Sequence, residues 1–520
     1  MEKIIGLPQF QKRQKGRKNK KPPILKEEER ILSTLKDEGK ISEALFTKLR
    51  PRGSLPPRLY GLAKVHKDNT PMRPVLSMPG SPYHNIGLQV AEWLSQVPEC
   101  RINSSSTSVC DSLKTIQLDE QDEVVSFDVS ALYTNVPVVE AIETCADLLF
   151  EKASPPVDKE TFITLATMAS CDVLMSTHDG YYRQVDGLAM GSPPASHLAN
   201  GWMSKFDQTI KGGSKMYTRY MDDILCDVKS DQIGDKLQSI NSIHPALKFT
   251  IEREHNKAIP FLDLKIINDQ GRLSSTWYYK PTDTGLIMNY HALAPKRYKR
   301  SVVSGFVHRI YRACSAWILF HESLEKAKKI LEQNQYPPVF YEPIIEKTLT
   351  SILSKENTEK GKELPKSDTG SKFLLRIQYR GKSTEDYARS LHRVNAPCMV
   401  VMTLRKLKTT LPSIKPPLEK MLRSGLVYKL QCPCCDACYV GQTSRHLQSR
   451  FREHTKNAGP MKSHLQQCAA TLQDQDVQIL SSTSRGETYL MTLEALWIRE
   501  LDPTINTKDE YRSRGLAIKL

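Results

Sequence analysis

Two adjacent acidic residues, Asp222 and Asp223, lie between an aromatic flank and an apolar run in RYMDDILC (219–226). The runs on either side favour two β-strands, which would place the acids at a hairpin tip. One interpretation is a solvated turn, because aspartate is a common turn residue. The other is a site for Mg²⁺, which prefers oxygen ligands and would remove the repulsion between the carboxylates. The metal interpretation requires a third carboxylate.

Asp128, in EVVSFDVSALYTNVP (123–137), can supply that carboxylate. The β-branched and aromatic residues before it are typical of a strand. We therefore expect Asp128 near the end of a buried strand. An isolated buried carboxylate is costly unless it is paired or bound to metal.

Residues suited to nucleotide binding lie on either side of Asp128. Lys64 and Arg73 flank a turn in PPRLYGLAKVHKDNTPMRPVLS (56–77), where their charges could bind a triphosphate. Gly191, in DGLAMGSPPASHLAN (186–200), belongs to a run of small residues that would allow close approach of a flat ligand such as a base pair.

The composition favours a nucleic-acid partner. The chain has 520 residues, a formal net charge of +16 and an isoelectric point near 9.1. We expect two to four domains, at roughly 100–200 residues each. A strongly basic chain favours polyanions. No apolar run approaches the roughly 18 residues that span a bilayer, and we find no signal peptide, so we expect no membrane partner.

Local composition predicts the organisation of the chain. KRQKGRKNKK (12–21) is expected to be disordered. Residues 51–290 mix strand and helix patterns, and residues 301–335 have helical periodicity. The polar segment 354–372 has the composition of a linker, and strand, helix and strand patterns follow it.

Five of the twelve cysteines crowd into one C-terminal region: Cys432, Cys434, Cys435, Cys438 and Cys468. Such clustering suggests metal-binding thiolates in a reducing compartment. Cys432 and Cys435 have the spacing of half a zinc site, which His464 and Cys468 could complete. Cys434 and Cys438 leave the ligand set open. The alternative is a group of reduced bystander thiols.

The same region contains residues that could cut a phosphodiester. Tyr428 and Tyr439 are eleven positions apart, Arg450 and His454 share a face of an expected helix, and Glu494 lies on another. The acid could hold a metal ion, the arginine could neutralise the charge on the phosphorane, and a tyrosine could orient or deprotonate the attacking water.

In the order of its motifs, the chain resembles the reverse transcriptases of Penelope-like retroelements. The motifs are RLYGLAKVHK with RPV, FDVSALYTNVP, GLAMGSPPASHLAN, YMDD, FLDLKI (261–266) and YYKPTDTGLIMNYHA (278–292). The resemblance implies a right-hand polymerase with fingers, palm and thumb, which extends a DNA primer on an RNA template from deoxynucleoside triphosphates. It implies that Asp128, Asp222 and Asp223 hold two Mg²⁺ or Mn²⁺ ions. Tyr133 would lie under the incoming sugar and exclude a 2′-hydroxyl, or else is a core tyrosine.

The C-terminal residues resemble the GIY-YIG endonuclease family, which Penelope-like elements carry after their polymerase. GLVY (425–428) replaces the usual first motif, whereas YVG (439–441), Arg450, Glu494 and a later PTIN match. This resemblance implies that Tyr428 and Tyr439 are catalytic and that Glu494 binds Mg²⁺. It implies nicking of target DNA, with the nick priming integration in the nucleus.

The expected fold is therefore α+β and multidomain, with a right-hand polymerase followed by a small α/β nuclease. The expected boundaries are 1–50 for a basic segment and a fingers remnant, 51–290 for fingers and palm, 291–353 for a helical thumb, 354–372 for a linker, 373–420 for a connector and 421–520 for the nuclease with its zinc site. Only about fifty residues precede RLYGLAKVHK, fewer than in the family. The alternative function is a truncated, non-catalytic nucleic-acid-binding relic, although the intact acids favour the enzyme.

Overall fold

The computed structural model describes residues 10–12, 24–50, 56–65, 69–101, 105–171, 173–177, 180–356, 373–394, 398–404, 419–456, 459–483 and 487–506. The basic segment expected at 12–21 lies outside these residues except for Lys12. The linker expected at 354–372 lies outside them after residue 356. Within the described ranges, no helix is both long and apolar enough to cross a membrane.

The strands are, in chain order, β1 (Phe10–Lys12), β2 (Arg58–Ala63), β3 (Met72–Ser77), β4 (Asp122–Val129), β5 (Val173–Ser176), β6 (Tyr181–Gln184), β7 (Tyr217–Tyr220), β8 (Asp223–Lys229), β9 (Phe249–Arg253), β10 (Ala258–Phe261), β11 (Leu264–Asp269), β12 (Arg272–Trp277), β13 (Phe373–Gln378), β14 (Cys398–Thr403), β15 (Leu426–Gln431), β16 (Cys438–Thr443) and β17 (Val477–Ser482). The helices are α1 (Ile24–Asp37), α2 (Glu43–Leu49), α3 (His84–Leu94), α4 (Ser106–Leu113), α5 (Leu132–Asn135), α6 (Val138–Lys152), α7 (Lys159–Ser170), α8 (Ala195–Ser204), α9 (Asp207–Lys211), α10 (Ile233–Asn241), α11 (Lys296–Ala313), α12 (Trp317–Gln333), α13 (Pro338–Glu356), α14 (Lys382–Arg393), α15 (Leu447–Lys456), α16 (Pro460–Gln467) and α17 (Glu487–Leu501). Short 3-10 turns occur at Pro98–Cys100, Lys420–Leu422 and Asp474–Asp476.

The chain divides into two compact units, and neither is a continuous segment of sequence. The first unit contains Met1–Arg101, Ala131–Ser204 and Lys415–Leu520. The second contains Ile102–Ser130 and Lys205–Ile414. The domain boundaries expected from the sequence remain predictions.

A four-stranded antiparallel sheet in the order β7-β8-β4-β9 lies in the second unit. Its central strand β4 buries Val125, Phe127 and Val129, as its β-branched and aromatic composition favours. The hairpin expected at RYMDDILC is confirmed, because β7 and β8 pair with Tyr220 opposite Asp223. The predicted strand before Asp128 is also confirmed.

A three-stranded antiparallel sheet, β10-β11-β12, shares a hydrophobic core with α11, α12 and α13 in the second unit. The helical periodicity expected over 301–335 is divided between α11 and α12, with a break at 314–316. At the break, the Ser315 N–H donates to the Ser275 carbonyl (3.0 Å) and the Ser275 N–H donates to Ser315 Oγ (2.9 Å). A contact with β12 therefore interrupts the helical pattern.

The strand, helix and strand expected after the linker are confirmed. β13 and β14 are parallel, with Phe373 opposite Cys398, and α14 connects them. Parallel neighbours need such a crossover connection, whereas antiparallel strands can be joined by a tight turn.

The N-terminal part of the first unit contains a five-stranded mixed sheet in the order β1-β6-β5-β2-β3. Helices α3, α6, α7 and α8 contact one another beside it, and they bury large side chains such as Trp93, Phe162 and Trp202. Apolar residues at helical spacing give these helices their packing faces.

The C-terminal part of the first unit is a three-stranded antiparallel sheet, β16-β15-β17, with helices on both faces. Tyr428 and Leu430 pack in one cluster with Phe451 of α15, whereas Val427 packs in another with Leu490 of α17. The alternation of side chains along β15 produces the two faces. The fold of this part is therefore α/β.

Candidate functional site

The three acids predicted to bind metal lie at one end of β4 and β8, the two inner strands of the four-stranded sheet. Asp128 of β4 is directly opposite Asp223, the first residue of β8. Asp222 occupies the preceding turn, where its carbonyl accepts a hydrogen bond from the Val129 N–H (3.0 Å). The antiparallel register therefore brings together three carboxylates from two segments that are distant in sequence.

The turn that carries Asp222 has an unfavourable backbone. Only Met221 and Asp222 separate Tyr220 from its partner Asp223. Met221 has φ +58° and is buried. A left-handed conformation is costly for any residue except glycine, and such strain is often found at functional sites.

The electrostatics of the cluster fit a divalent cation. Burial and the charges of Asp222 and Asp128 raise the pKa of the Asp223 carboxyl to about 6. Carboxylates crowded in this way favour a cation or a proton over the free anion. Oxygen donors of this kind are what Mg²⁺ and Mn²⁺ prefer, so the residues present fit the expected metal ions.

Lys64 and Arg73 lie together on one hairpin of the first unit. Arg73 is opposite Leu62 in the β2-β3 pair, and the Lys64 N–H donates to the Pro71 carbonyl (2.9 Å) just beyond it. Lys64 and Arg73 therefore lie near the same end of the hairpin, where β2 and β3 are joined. This arrangement has the charge that a triphosphate requires.

Gly191 and Tyr133 also lie in the first unit. Gly191 has φ +102°, and a Cβ there would overlap the Leu76 carbonyl of β3. The structure thus gives Gly191 a packing role against β3, besides the ligand approach expected from the sequence. Tyr133 is half-buried in α5, and its carbonyl accepts a hydrogen bond from the Leu188 N–H.

Four of the residues expected to cut a phosphodiester lie together on one face of the C-terminal sheet: Tyr428, Tyr439, Arg450 and His454. Tyr428 is buried on β15, and its hydroxyl lies 2.8 Å from His454 Nε2. Arg450 Nε donates to the same hydroxyl (3.2 Å). Burial raises the pKa of Tyr428, so the phenol stays protonated at neutral pH. The Tyr439 ring contacts the His454 ring edge-on, with centroids 4.9 Å apart.

A glycine allows the two tyrosines to approach. Gly441 of β16 lies opposite Tyr428, and a Cβ there would stand 2.7 Å from the Tyr439 ring and 2.8 Å from the Tyr428 hydroxyl. Any other residue would therefore push the rings apart. Glu494 of α17 is buried, with 9% of its surface exposed, and its charge acts on Tyr428.

Sequence reasoning missed Glu453 in this region, and it gave no partner to His454 or to Asn506, the last residue of PTIN. His454 was placed only on the face of Arg450, but the structure makes it the partner of Tyr428. Glu453 accepts from Arg450 Nη1 (3.0 Å). Asn506 pairs with both backbone groups of Val440, each at 2.8 Å. The four-residue spacing of Arg450 and His454 was the sequence feature that could have indicated that both bind the same group.

The thiol cluster contains the four residues expected from the sequence. One ligand atom from each of Cys432, Cys435, His464 and Cys468 lies within 4.8 Å of the others. His464 Nε2 is 3.3 Å from Cys435 Sγ and 3.5 Å from Cys468 Sγ. These separations suit a tetrahedral ion with bonds of about 2.0–2.3 Å, so the donor set fits zinc. Cys434 and Cys438 are not in this group.

Two family models match parts of the chain. Residues 19–255 match the reverse transcriptase (RNA-dependent DNA polymerase) family, and residues 286–346 match the animal helix-turn-helix domain. Residues 19–255 are therefore similar to a reverse transcriptase domain. This match includes α1 and α2, upstream of the boundary expected at residue 51.

Several solved polymerase structures are similar to the chain at low identity. Telomerase from Candida albicans, in complex with a TWJ fragment of telomeric RNA, is 14% identical over 62% of this chain and 58% of its own, with a TM-score of 0.39. This chain thus spans less than two thirds of that telomerase. The RNA-dependent RNA polymerase of a human picobirnavirus is 14% identical over 58% and 62%, with a TM-score of 0.37. The Sicinivirus 3Dpol RNA-dependent RNA polymerase is 11% identical over 66% and 74%, with a TM-score of 0.36. A comparison with curated proteins finds no match.

Proposed function

We propose that this chain is the RNA-directed DNA polymerase of a Penelope-like retroelement and that it also nicks DNA. The polymerase proposal rests on one observation: Asp128, Asp222 and Asp223 lie together at one end of the inner strands β4 and β8. The order of the sequence motifs, with a nuclease-like part after the polymerase, supports the Penelope-like assignment. Integration into target DNA would take place in the nucleus.

In DNA synthesis, each group has a defined task. Asp128, Asp222 and Asp223 would hold Mg²⁺ or Mn²⁺, which supplies charge to activate the primer 3′-hydroxyl and to stabilise the leaving pyrophosphate. Lys64 and Arg73 bind the triphosphate of the incoming nucleotide. Tyr133 excludes the 2′-hydroxyl of a ribonucleotide and so selects DNA as product.

The nuclease proposal rests on the hydrogen bonds of Tyr428. Burial and Arg450 lower the pKa of His454 to about 4, so its imidazole is neutral at physiological pH and can accept a proton. With His454 as acceptor and Arg450 as donor, the Tyr428 hydroxyl is poised to pass a proton from the attacking water. Arg450 also neutralises charge on the phosphorane. Glu494 would hold Mg²⁺, which polarises the phosphate.

We assign the thiol cluster to zinc as a structural ion. Cys432 is buried, whereas Cys435 is exposed and comes from the same strand-to-strand loop. Burial favours the protonated form of Cys432. Hydrogen bonds from the Cys434 backbone and from His464 outweigh this effect and lower the pKa of Cys432 to about 7. Thiolate character of this kind favours metal binding. The ion would join the β15-β16 loop to α16.

Primer extension on an RNA template with Mg²⁺ or Mn²⁺ tests the polymerase. Wild type should extend the primer, and Asp222→Ala should abolish extension while template–primer binding is retained. Asp231→Ala is a matched control, because Asp231 is an exposed acid just after β8 of the same sheet. Equal extension by Asp222→Ala and wild type would refute the assignment. No extension by wild type would favour the non-catalytic relic.

A further inference from the structure

Two hydrogen bonds from outside the turn hold the hairpin tip that carries the acids. The Val129 N–H donates to the Asp222 carbonyl at 3.0 Å. Arg219 Nη1 donates to the Met221 carbonyl at 3.3 Å. Both carbonyls of the two-residue turn are thus bound. Because Met221 has an unfavourable positive φ of +58°, the turn needs such support to keep its shape.

Asp207 fixes the orientation of the Arg219 side chain. Arg219 Nε donates to Asp207 Oδ1 (2.7 Å), and Nη2 donates to Oδ2 (2.9 Å). A guanidinium group is planar, so two fixed nitrogens determine the direction of the third, Nη1. The Arg219 side chain is only 9% exposed, so water cannot easily replace these partners.

Asp207 is itself held in place. The Tyr217 hydroxyl donates to Asp207 Oδ1 (2.7 Å), and Tyr217 is two residues from Arg219 on β7. Burial and the Asp207 charge raise the pKa of Tyr217, so its hydroxyl remains a donor at neutral pH. A continuous set of contacts therefore runs from α9 through Asp207 and Arg219 to the carbonyl beside Asp222.

We propose that Arg219, oriented by Asp207, is a positioning residue that sets the direction of the Asp222 and Asp223 carboxylates. This inference rests on the proposed polymerase site. Arg219 contacts the backbone of the turn, so we expect its effect to pass through metal binding. Loss of a group that orients metal ligands typically costs about 10–100-fold in metal affinity or activity.

Arg219→Lys is the informative variant. Lysine keeps a positive charge opposite the half-buried Asp207 carboxylate, so the protein should fold. A single ammonium cannot bind both Asp207 oxygens in the guanidinium plane and also be aimed at the Met221 carbonyl. Asp207→Asn should act in the same direction, because it weakens the bidentate pair.

Arg253→Lys is a matched control in the same sheet. Arg253 of β9 also forms a bidentate pair, with Glu123 of β4, at 2.6 Å and 3.1 Å. This pair is more exposed, with 54% of the Arg253 side chain accessible, and it lies at the far end of β4 from Asp128. The Arg253→Lys substitution should therefore leave the metal site unchanged.

Four measurements on the full chain decide the proposal: Mn²⁺ affinity by electron paramagnetic resonance, the Mg²⁺ concentration for half-maximal primer extension, template–primer affinity, and the thermal midpoint. Arg219→Lys should weaken Mn²⁺ binding about 10-fold and raise the Mg²⁺ requirement similarly, with template–primer affinity within about 2-fold of wild type. Arg253→Lys should match wild type in all four.

The outcomes separate this inference from the polymerase proposal. Equal Mn²⁺ affinity in the Arg219→Lys and Arg253→Lys variants, with a wild type that binds Mn²⁺ and extends primers, would overturn only the positioning role. A joint fall in thermal midpoint, template–primer affinity and Mn²⁺ affinity would also overturn it, because it would indicate a general structural role. A wild type that neither binds Mn²⁺ nor extends primers would overturn both. If wild type binds Mn²⁺ without extending primers, the Mn²⁺ affinities of the Arg219→Lys and Arg253→Lys variants still decide whether Arg219 positions the metal ligands.

Discussion

Asp128 and Asp223 are directly opposite each other on neighbouring antiparallel strands, so one cross-strand pair contains two carboxylates. Like charges in such a pair destabilise a sheet. Asp222 adds a third carboxylate next to them, and the pKa of Asp223 is raised to about 6. The folded protein without metal is therefore less stable than it would be with a neutral residue at this position. Binding of a divalent cation should reverse this effect.

Asp223→Asn should stabilise the metal-free protein at about pH 7.5 by about 2 kcal/mol in the free energy of unfolding, because solvent screening reduces the full effect of the pKa shift at this half-buried group. The pKa of Asp223 is raised in the folded state, so its contribution to stability is fully present below the ordinary value of 3.8 and is lost as the pH rises through about 6. The advantage of Asn should disappear near pH 4. At that pH the Asp223 carboxyl is protonated in the folded protein, and it begins to be protonated in the unfolded chain, where its pKa has the ordinary value of 3.8. Mg²⁺ at neutral pH should raise the thermal midpoint of wild type more than that of the variant.

The check is thermal unfolding at several pH values, with Mg²⁺ and with chelator. Asp231→Asn is the control, because Asp231 is an exposed acid just after β8. If the difference between wild type and Asp223→Asn is the same at every pH and in both ionic conditions, the acids do not form a metal site.

Tyr133→Ala should admit ribonucleotides. If Tyr133 blocks the 2′-hydroxyl, removing the ring should reduce the preference for deoxynucleotides by about 10–100-fold. Tyr133→Phe keeps the ring and should keep the preference, so it serves as the control. The measurement is the ratio of kcat/KM for the two nucleotide classes. A Tyr133→Ala enzyme as selective as the parent would mean that Tyr133 is a packing residue.

Cys435→Ser should lower the zinc content of the purified chain and its thermal midpoint. Metal binding in small sites is coupled to folding, so loss of a ligand weakens both. Cys434→Ser is closely matched, because Cys434 is the adjacent exposed thiol but is not in the four-residue group. Elemental analysis and unfolding with chelator give the answer. Equal zinc content in the two variants would exclude Cys435 as a ligand.

Glu494→Gln should reduce nicking of supercoiled plasmid by at least about 100-fold, because a metal ligand supplies several kcal/mol of charge stabilisation. Arg450→Ala and His454→Ala should also reduce it. Glu500→Gln should not, because Glu500 is an exposed acid on the same helix α17. Primer extension should persist in all four variants, which verifies that the chain is folded. Equal nicking by every protein would point to a contaminant or another site.

Local patterns were sufficient where the chemistry depends on neighbours in sequence. The aromatic and β-branched runs around Asp222 predicted the hairpin, and the run before Asp128 predicted its strand. The C-x₂-C spacing at Cys432 and the pair of ligands one helical turn apart, His464 and Cys468, predicted the four-residue cluster that the structure contains. In these cases spacing in the sequence identifies the side chains that share a strand, a loop or a helical turn.

Contacts across the tertiary structure were beyond such patterns. The break between α11 and α12 depends on Ser315 meeting Ser275 on a distant strand. The pairing of Arg219 with Asp207 crosses from a strand to a short helix, and the periodicity of neither element indicates it. Tertiary packing decides these contacts, whereas propensity decides only the elements that carry them.

The position of β4 at the centre of its sheet affects how the protein must be made. Its partners β8 and β9 follow it by about a hundred residues or more in the chain, so a growing polypeptide exposes β4 unpaired until they emerge from the ribosome. An apolar strand with open edges can pair with other chains during this interval. The yield of soluble protein should therefore depend on chaperones and on how quickly residues 217–253 are synthesised, more than on the final stability of the sheet.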